Sequence, residues 1–198
     1  MTNPTQTPSS SASTDKEPNT WLGFSLHDIV DIAIFAALAF VGMCLGGPLH
    51  AIKIFGIQTL LTGPFITFFS MFALIKIRKP GTVVLLSLIS TIILIPMHPT
   101  AFIYSVIAAV FAEIIALGIF RTYENRAARL TSSILRSVLQ LPVQIVYTLL
   151  VVGNLNKALV GSTLAISIVL IVGVLLFIGS ALLAEKVAAE LRKSGRMR

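Results

Sequence analysis

The stretch SSILRSVLQLPVQIVYTLLVV, residues 132–152, decides the fold class. It is apolar enough to cross a bilayer, yet it carries Arg136, Gln140, Gln144 and Tyr147, spaced 4, 4 and 3 apart. At roughly 100° per residue these four fall within an arc of about 80°. The stretch therefore reads as a membrane helix with one polar stripe. Hydrocarbon satisfies no polar group, so the stripe must face other helices or a wet cavity. The rest of the chain has to supply those walls.

The composition agrees. Of 198 residues, 56% are hydrophobic and 12% charged, and the mean hydropathy is +0.92. Soluble domains average about 25% charged residues, so this is an all-α integral membrane protein. The net charge of +7 is not a nucleic-acid signal, because the few charges cluster between hydrophobic runs, as topology signals do. Cys44 is the sole cysteine, which excludes an internal disulfide and a Cys-based metal site. Residues 1–20, MTNPTQTPSSSASTDKEPNT, are polar and rich in Ser, Thr and Pro, without the basic start and apolar core of a signal peptide. They read as a disordered cytoplasmic tail. Residues 21–190 form the transmembrane domain, and 191–198 a basic cytoplasmic tail.

A span needs about 20 apolar residues, and six candidates emerge. The first is about 27–46, with Asp28 and Asp31 in its first turns and Trp21 as an interfacial anchor. The second is ambiguous. Residues 51–62 are mixed and Gly63-Pro64 interrupts, so it reads either as one broken helix or as a loop before a span near 59–77. The third, about 82–95, is short and bounded by Pro80 and Pro96. The fourth is about 99–120, the fifth is the quoted stretch, and the sixth is about 158–184. Of 15 Lys and Arg, placing both termini inside leaves only Lys53 and Lys157 outside, with Arg136 inside helix five and the other 12 on the inner side. The positive-inside rule selects that orientation, and it requires an even number of spans. The expected localisation is the cell membrane, multi-pass. No internal repeat marks an inverted-repeat carrier.

In that orientation three outer connections bring His50, Lys53, His98, Thr100, Asn154, Asn156 and Lys157 to one side. Tyr104 lies one turn into helix four from that side, and Gln144 and Tyr147 lie two to three turns into helix five. Amides and hydroxyls offer directional hydrogen bonds and aromatics a stacking surface. Together they suit a small polar heterocycle such as a vitamin or its precursor. The plainer readings stay open: a solvated turn for Asn154, Asn156 and Lys157, and helix–helix glue for Gln144 and Tyr147. His50 and His98 have no nearby carboxylate, which is weak evidence for metal; no metal or other cofactor is expected.

Glu113 and Arg136 are expected at similar depth on consecutive antiparallel helices. An isolated charge there is costly, so a mutual intramembrane ion pair is the preferred reading; the alternative makes Glu113 a proton-coupling carboxylate. Helix one carries Ala33, Ala36, Ala37, Gly42 and Gly46. Small residues at such spacing let another helix approach closely, so the Ala33–Ala37 face reads either as internal packing or as a dock for a separate membrane subunit. No catalytic set is present: no Ser or Cys with a nearby His, no HExxH and no phosphate loop.

Three features carry a family resemblance: the six-helix plan, Ala33-xxx-Ala37 early in helix one, and the block TGPFITFFSMFALIKIRKPGTVVLLSLISTIILIPMHPTAFIYSVIAAVFAEIIALGIF. Over about residues 27–185 the chain resembles the substrate-binding S components of energy-coupling factor (ECF) transporters. Within them it looks like the YkoE type, associated with thiamine and its hydroxymethylpyrimidine precursor, and the MptD-like (Trep_Strep) group. The resemblance implies a six-helix S-component-like bundle that captures a micronutrient at the outer face. It also implies docking, through Ala33 and Ala37, onto an ECF membrane coupling subunit driven by two ATPase subunits. No outer-loop acidic residue is present to meet a thiamine cation, which leaves a neutral pyrimidine or an anionic compound. The expectation is a non-enzymatic capture subunit. The rivals are a stand-alone small transporter or channel using Glu113, and a ligand-free membrane assembly factor.

Overall fold

The computed structural model describes residues 23–44, 56–93, 95–96, 99–152 and 163–195. Among the described residues there are six helices: α1 (Leu26–Cys44), α2 (Ile57–Ile77), α3 (Thr82–Ile92), α4 (Pro99–Phe120), α5 (Arg126–Val152) and α6 (Thr163–Lys193). All but α3 are long and apolar enough to cross a membrane. At 11 residues, α3 rises only about 16 Å, half a hydrocarbon layer. From Ile57 onward the ambiguous second segment is a continuous helix that runs through Pro64; residues 51–55 lie outside the described residues.

Ser25 and Asp28 start α1 with a reciprocal capping box. The Asp28 amide donates to Ser25 Oγ at 3.2 Å, and the Ser25 amide to Asp28 Oδ2 at 2.9 Å. Between α2 and α3 the segment Arg78-Lys79-Pro80-Gly81 makes a tight corner, with Arg78 at φ 52° and Gly81 at φ 90°. Gly81 accepts that left-handed backbone without strain, but as the residue before α3 it has no side chain to cap the helix.

The central element is α2. Of its most apolar stretch 56% is buried, against 22–33% in the other four long helices. It packs against α1, α3, α5 and α6, while α4 lies across α3 and α5. Close approach of α2 and α6 depends on Gly63, where a Cβ would fall 2.2 Å from the ring of Phe177.

The helices are inside-out relative to a soluble bundle. On α4 the buried face is Ser105, Ala108, Ala109, Ala112, Glu113 and Ala116, while Ile103, Ile107, Phe111, Ile114 and Ile119 are exposed. On α5, Ser132, Ser133, Arg136, Ser137 and Gln140 are buried, and Val146, Leu149, Leu150 and Val151 are exposed. Large apolar surface outside with small and polar groups inside is stable against lipid, not against water. With five helices of spanning length, the chain is a multi-pass membrane protein.

One end of the bundle gathers the charges. Lys76 pairs with Asp31 and Lys79 with Asp28, both at 2.7 Å, and Arg126 pairs with Glu185. These contacts tie α1 to the α2–α3 corner and α5 to α6. All ion pairs among the described residues lie at this end.

Candidate functional site: a polar lane between α3, α4 and α5

Hydroxyls at helical spacing line the interior: Ser87, Ser90 and Thr91 on α3, Ser105 on α4, and Ser133 and Ser137 on α5, all buried. From α2, Thr67 meets Ser137, oxygen to oxygen, at 2.7 Å. Small hydroxylated residues at helix interfaces allow close packing and still satisfy their own polar atoms, often on the preceding turn. Ser87 and Thr91 do so, donating to Val83 O at 2.7 Å and to Ser87 O at 2.5 Å.

Glu113 closes the lane toward the charged end. Its Oε1 accepts from the Gly81 amide at 2.5 Å and from the Tyr123 hydroxyl at 3.2 Å; its Oε2 accepts from the Val84 amide at 3.3 Å. These are the first orphan amides of α3, so a carboxylate from α4 caps the helix that Gly81 leaves bare. Negative charge at a helix N-terminus also meets the positive end of the helix dipole. Tyr123 lies in the short connection after α4. Burial, and then the Glu113 carboxylate beside it, push its phenol above the usual range, which keeps the proton that Glu113 accepts. With that proton donated, Ser132 Oγ at 3.1 Å acts as donor to the phenol oxygen.

The expected Glu113–Arg136 ion pair is therefore not formed. Arg136 is 1% exposed and reaches the other way. Its Nε donates to Ser87 Oγ at 2.6 Å and its Nη2 lies 3.5 Å from Ser105 Oγ. Ser105 and Glu113 are eight residues apart on α4, or about 12 Å of rise. Position along two antiparallel helices does not fix the partner, because an α3 terminus competes for the carboxylate. Nη1 of Arg136 is buried with no hydrogen-bond partner among the described residues.

Beyond Arg136 the stripe on α5 opens gradually. Gln140 is 7% exposed, and Gln144 and Tyr147 are half-buried. Tyr104 on α4 is also half-buried and Thr100 exposed. Among the described residues no hydrogen bond joins these outer groups. His50, Lys53, His98, Asn154, Asn156 and Lys157 lie outside the described residues. On α1, Ala37 is exposed and Ala33 half-buried, flanked by exposed Val30, Ile34, Leu38 and Val41.

A separate groove of about 490 Å³ lies between α2 and α6. Pro64, Phe65, Phe68, Leu175 and Leu183 are among its walls, and its one hydroxyl, Ser180, already donates to Pro64 O. That lining offers nothing to a polar solute and suits an acyl chain.

Sequence reasoning found Arg136, Gln140 and Glu113 as polar positions but missed the hydroxyls around them. The signal was present in the i, i+4 pairs Ser87–Thr91 and Ser133–Ser137. Comparison with family models, curated proteins and solved structures found no match to this chain.

Proposed function

We propose that this protein is the substrate-capture subunit of an importer of the energy-coupling factor type, binding a micronutrient from outside and passing it on with the help of a separate ATP-driven module. The observation that carries the reading is the graded stripe on α5. It runs from half-buried Gln144 and Tyr147, through buried Gln140, to Arg136 in the interior. A stripe that serves only as glue has no need of a graded approach from one end. Small-molecule sites combine such convergent polar groups with apolar walls.

The rest of the reading assigns the parts. The charged end, with Lys76, Lys79, Arg126 and Arg192, is the cytoplasmic end by the positive-inside rule. The stripe then opens outward, and α3 serves as a sixth, short element in the inner half of the bundle. The exposed α1 ridge around Ala37 is the dock for the coupling subunit, because small residues allow a second helix to approach closely.

Glu113 does not favour the rival reading of a proton-coupled carrier. Two backbone amides and a phenol occupy its carboxylate, a structural duty that explains a buried acid without transport chemistry.

The test is reconstitution. Purified protein should retain, or be thermally stabilised by, a specific small molecule, and should support uptake into liposomes only with a coupling subunit and its ATPases. Uptake by the protein alone would exclude the reading. Neither retention nor stabilisation across a micronutrient panel would do the same.

A further inference from the structure

Arg136 carries a charge into the bundle with nothing negative beside it. Guanidinium groups stay protonated in proteins. Its one short hydrogen bond goes to a neutral hydroxyl, Ser87; the contact to Ser105 at 3.5 Å is at the limit; Nη1 has no partner among the described residues. Of the other two buried charges there, Glu113 is held by the α3 terminus and Asp31 by Lys76. The buried polar groups around the lane, Ser87, Ser90, Thr91, Ser105, Ser137 and Gln140, are all neutral. A buried cation with a vacant N–H and no counter-charge is costly unless something else balances it.

We infer that Arg136 is the anchor for the carboxylate of a small organic acid, taken up between those parts of α3, α4 and α5 that point away from the charged end. This rests on the capture reading above and specifies its substrate class. Charge balance selects the carboxylate. Arg136 is the one buried Lys or Arg among the described residues, and a carboxylate's single negative charge neutralises it. A phosphate ester brings roughly −1.5 to −2 and would need a second cation. A cationic ligand would add like charge, and a neutral one would leave the guanidinium unbalanced. The planar fork of Arg also matches carboxylate geometry. Gln140, one turn outward, and Gln144 and Tyr147 beyond it would meet the rest of the molecule. Because Arg136 is 1% exposed, the acid reaches it only when the helix ends part.

The experiment uses the full chain in lipid nanodiscs and matched pairs that differ in the acid group: biotin and biotinamide, pantothenate and pantothenol, nicotinate and nicotinamide, lipoate and lipoamide. Thermal unfolding reads binding, and native mass spectrometry identifies any molecule retained from the producing cells, which then joins the panel with its amide. An acid should bind, its neutral counterpart about tenfold more weakly or worse, and Arg136→Gln should erase that preference. If Arg136→Gln does not fold, the acid-against-amide comparison on the wild type decides alone. Equal binding of acid and amide overturns the carboxylate anchor while leaving capture standing. So does a retained ligand without a carboxylate, including a phosphate ester, or stabilisation by inorganic phosphate alone. No retained molecule and no stabilisation by any member of the panel overturns both.

Discussion

The Gly81 amide donates to Glu113 Oε1 at 2.5 Å, so α4 supplies the N-terminal cap of α3. The corner before α3 demands a left-handed backbone and takes Gly81 for it, and the missing cap is made good across the bundle. The same bond removes Glu113 as a counter-ion for Arg136.

Replacing Glu113 by Gln tests the cap. An amide keeps one acceptor oxygen but turns an N–H donor toward an amide or a phenol, so one buried donor loses its partner. The expected cost is about 1–3 kcal/mol of stability, measured by unfolding in mixed micelles, with substrate binding kept in the folded fraction. Unchanged stability with abolished uptake would point to proton work at Glu113 instead.

Tyr123→Phe removes the phenol that links Glu113 to Ser132. It should cost about 1 kcal/mol at neutral pH. The phenol's pKa is raised in the folded state, so its contribution is complete below the unfolded value of about 10 and is lost as pH rises toward the folded one. Wild-type stability should fall above about pH 10 more steeply than that of Tyr123→Phe. Parallel curves would contradict the bond.

Gly63→Ala should separate α2 from α6. Its Cβ would sit 2.2 Å from Phe177, a ring that is itself 1% exposed and cannot swing aside. Overpacking of this kind costs about 1–3 kcal/mol. Gly173→Ala is the control, because its Cβ would meet nothing closer than 3.6 Å and Ala favours helix. Equal effects of the two would show that the α2–α6 contact is looser than described.

Ala37→Trp should abolish co-purification with a coupling subunit and leave ligand binding intact. Ala37 is exposed and Ala33 half-buried among the described residues, so position 37 takes the indole with less disturbance of the packing of α1. Tyr147→Ala should do the reverse, weakening binding roughly tenfold or more, as expected for a lost aromatic contact in a binding site. The opposite pattern would sink this division of labour.

Much of the helical plan was legible because apolar length and proline or glycine punctuation set it. Helix four was read at 99–120 and is observed there. The short third helix, fenced by Pro80 and Pro96, was visible as well. For α2 the sequence left two readings, and the span near 59–77 is the one that matches the observed Ile57–Ile77; a proline alone does not say whether neighbours will hold a helix together around it. At the site, periodicity placed Arg136 and Gln140 on an inward stripe correctly. The partner of Glu113 was illegible, because the competing donors were backbone amides, which no residue type announces. The clue was a helix preceded by Gly81 with no capping side chain. Six of the expected outer site residues fall outside the described part of the chain, and the four that are described share no hydrogen bond.

A double-mutant cycle between Glu113→Gln and Arg136→Gln, read as unfolding free energy of the ligand-free chain, bears most directly on the separation of the two charges. Glu113, held by the α3 amides and Tyr123, and Arg136, held by Ser87 and Ser105, share no hydrogen-bond partner, so their effects should be additive within about 0.5 kcal/mol. A coupling of about 3 kcal/mol or more, as for a broken buried ion pair, would mean that Glu113 and Arg136 neutralise one another after all.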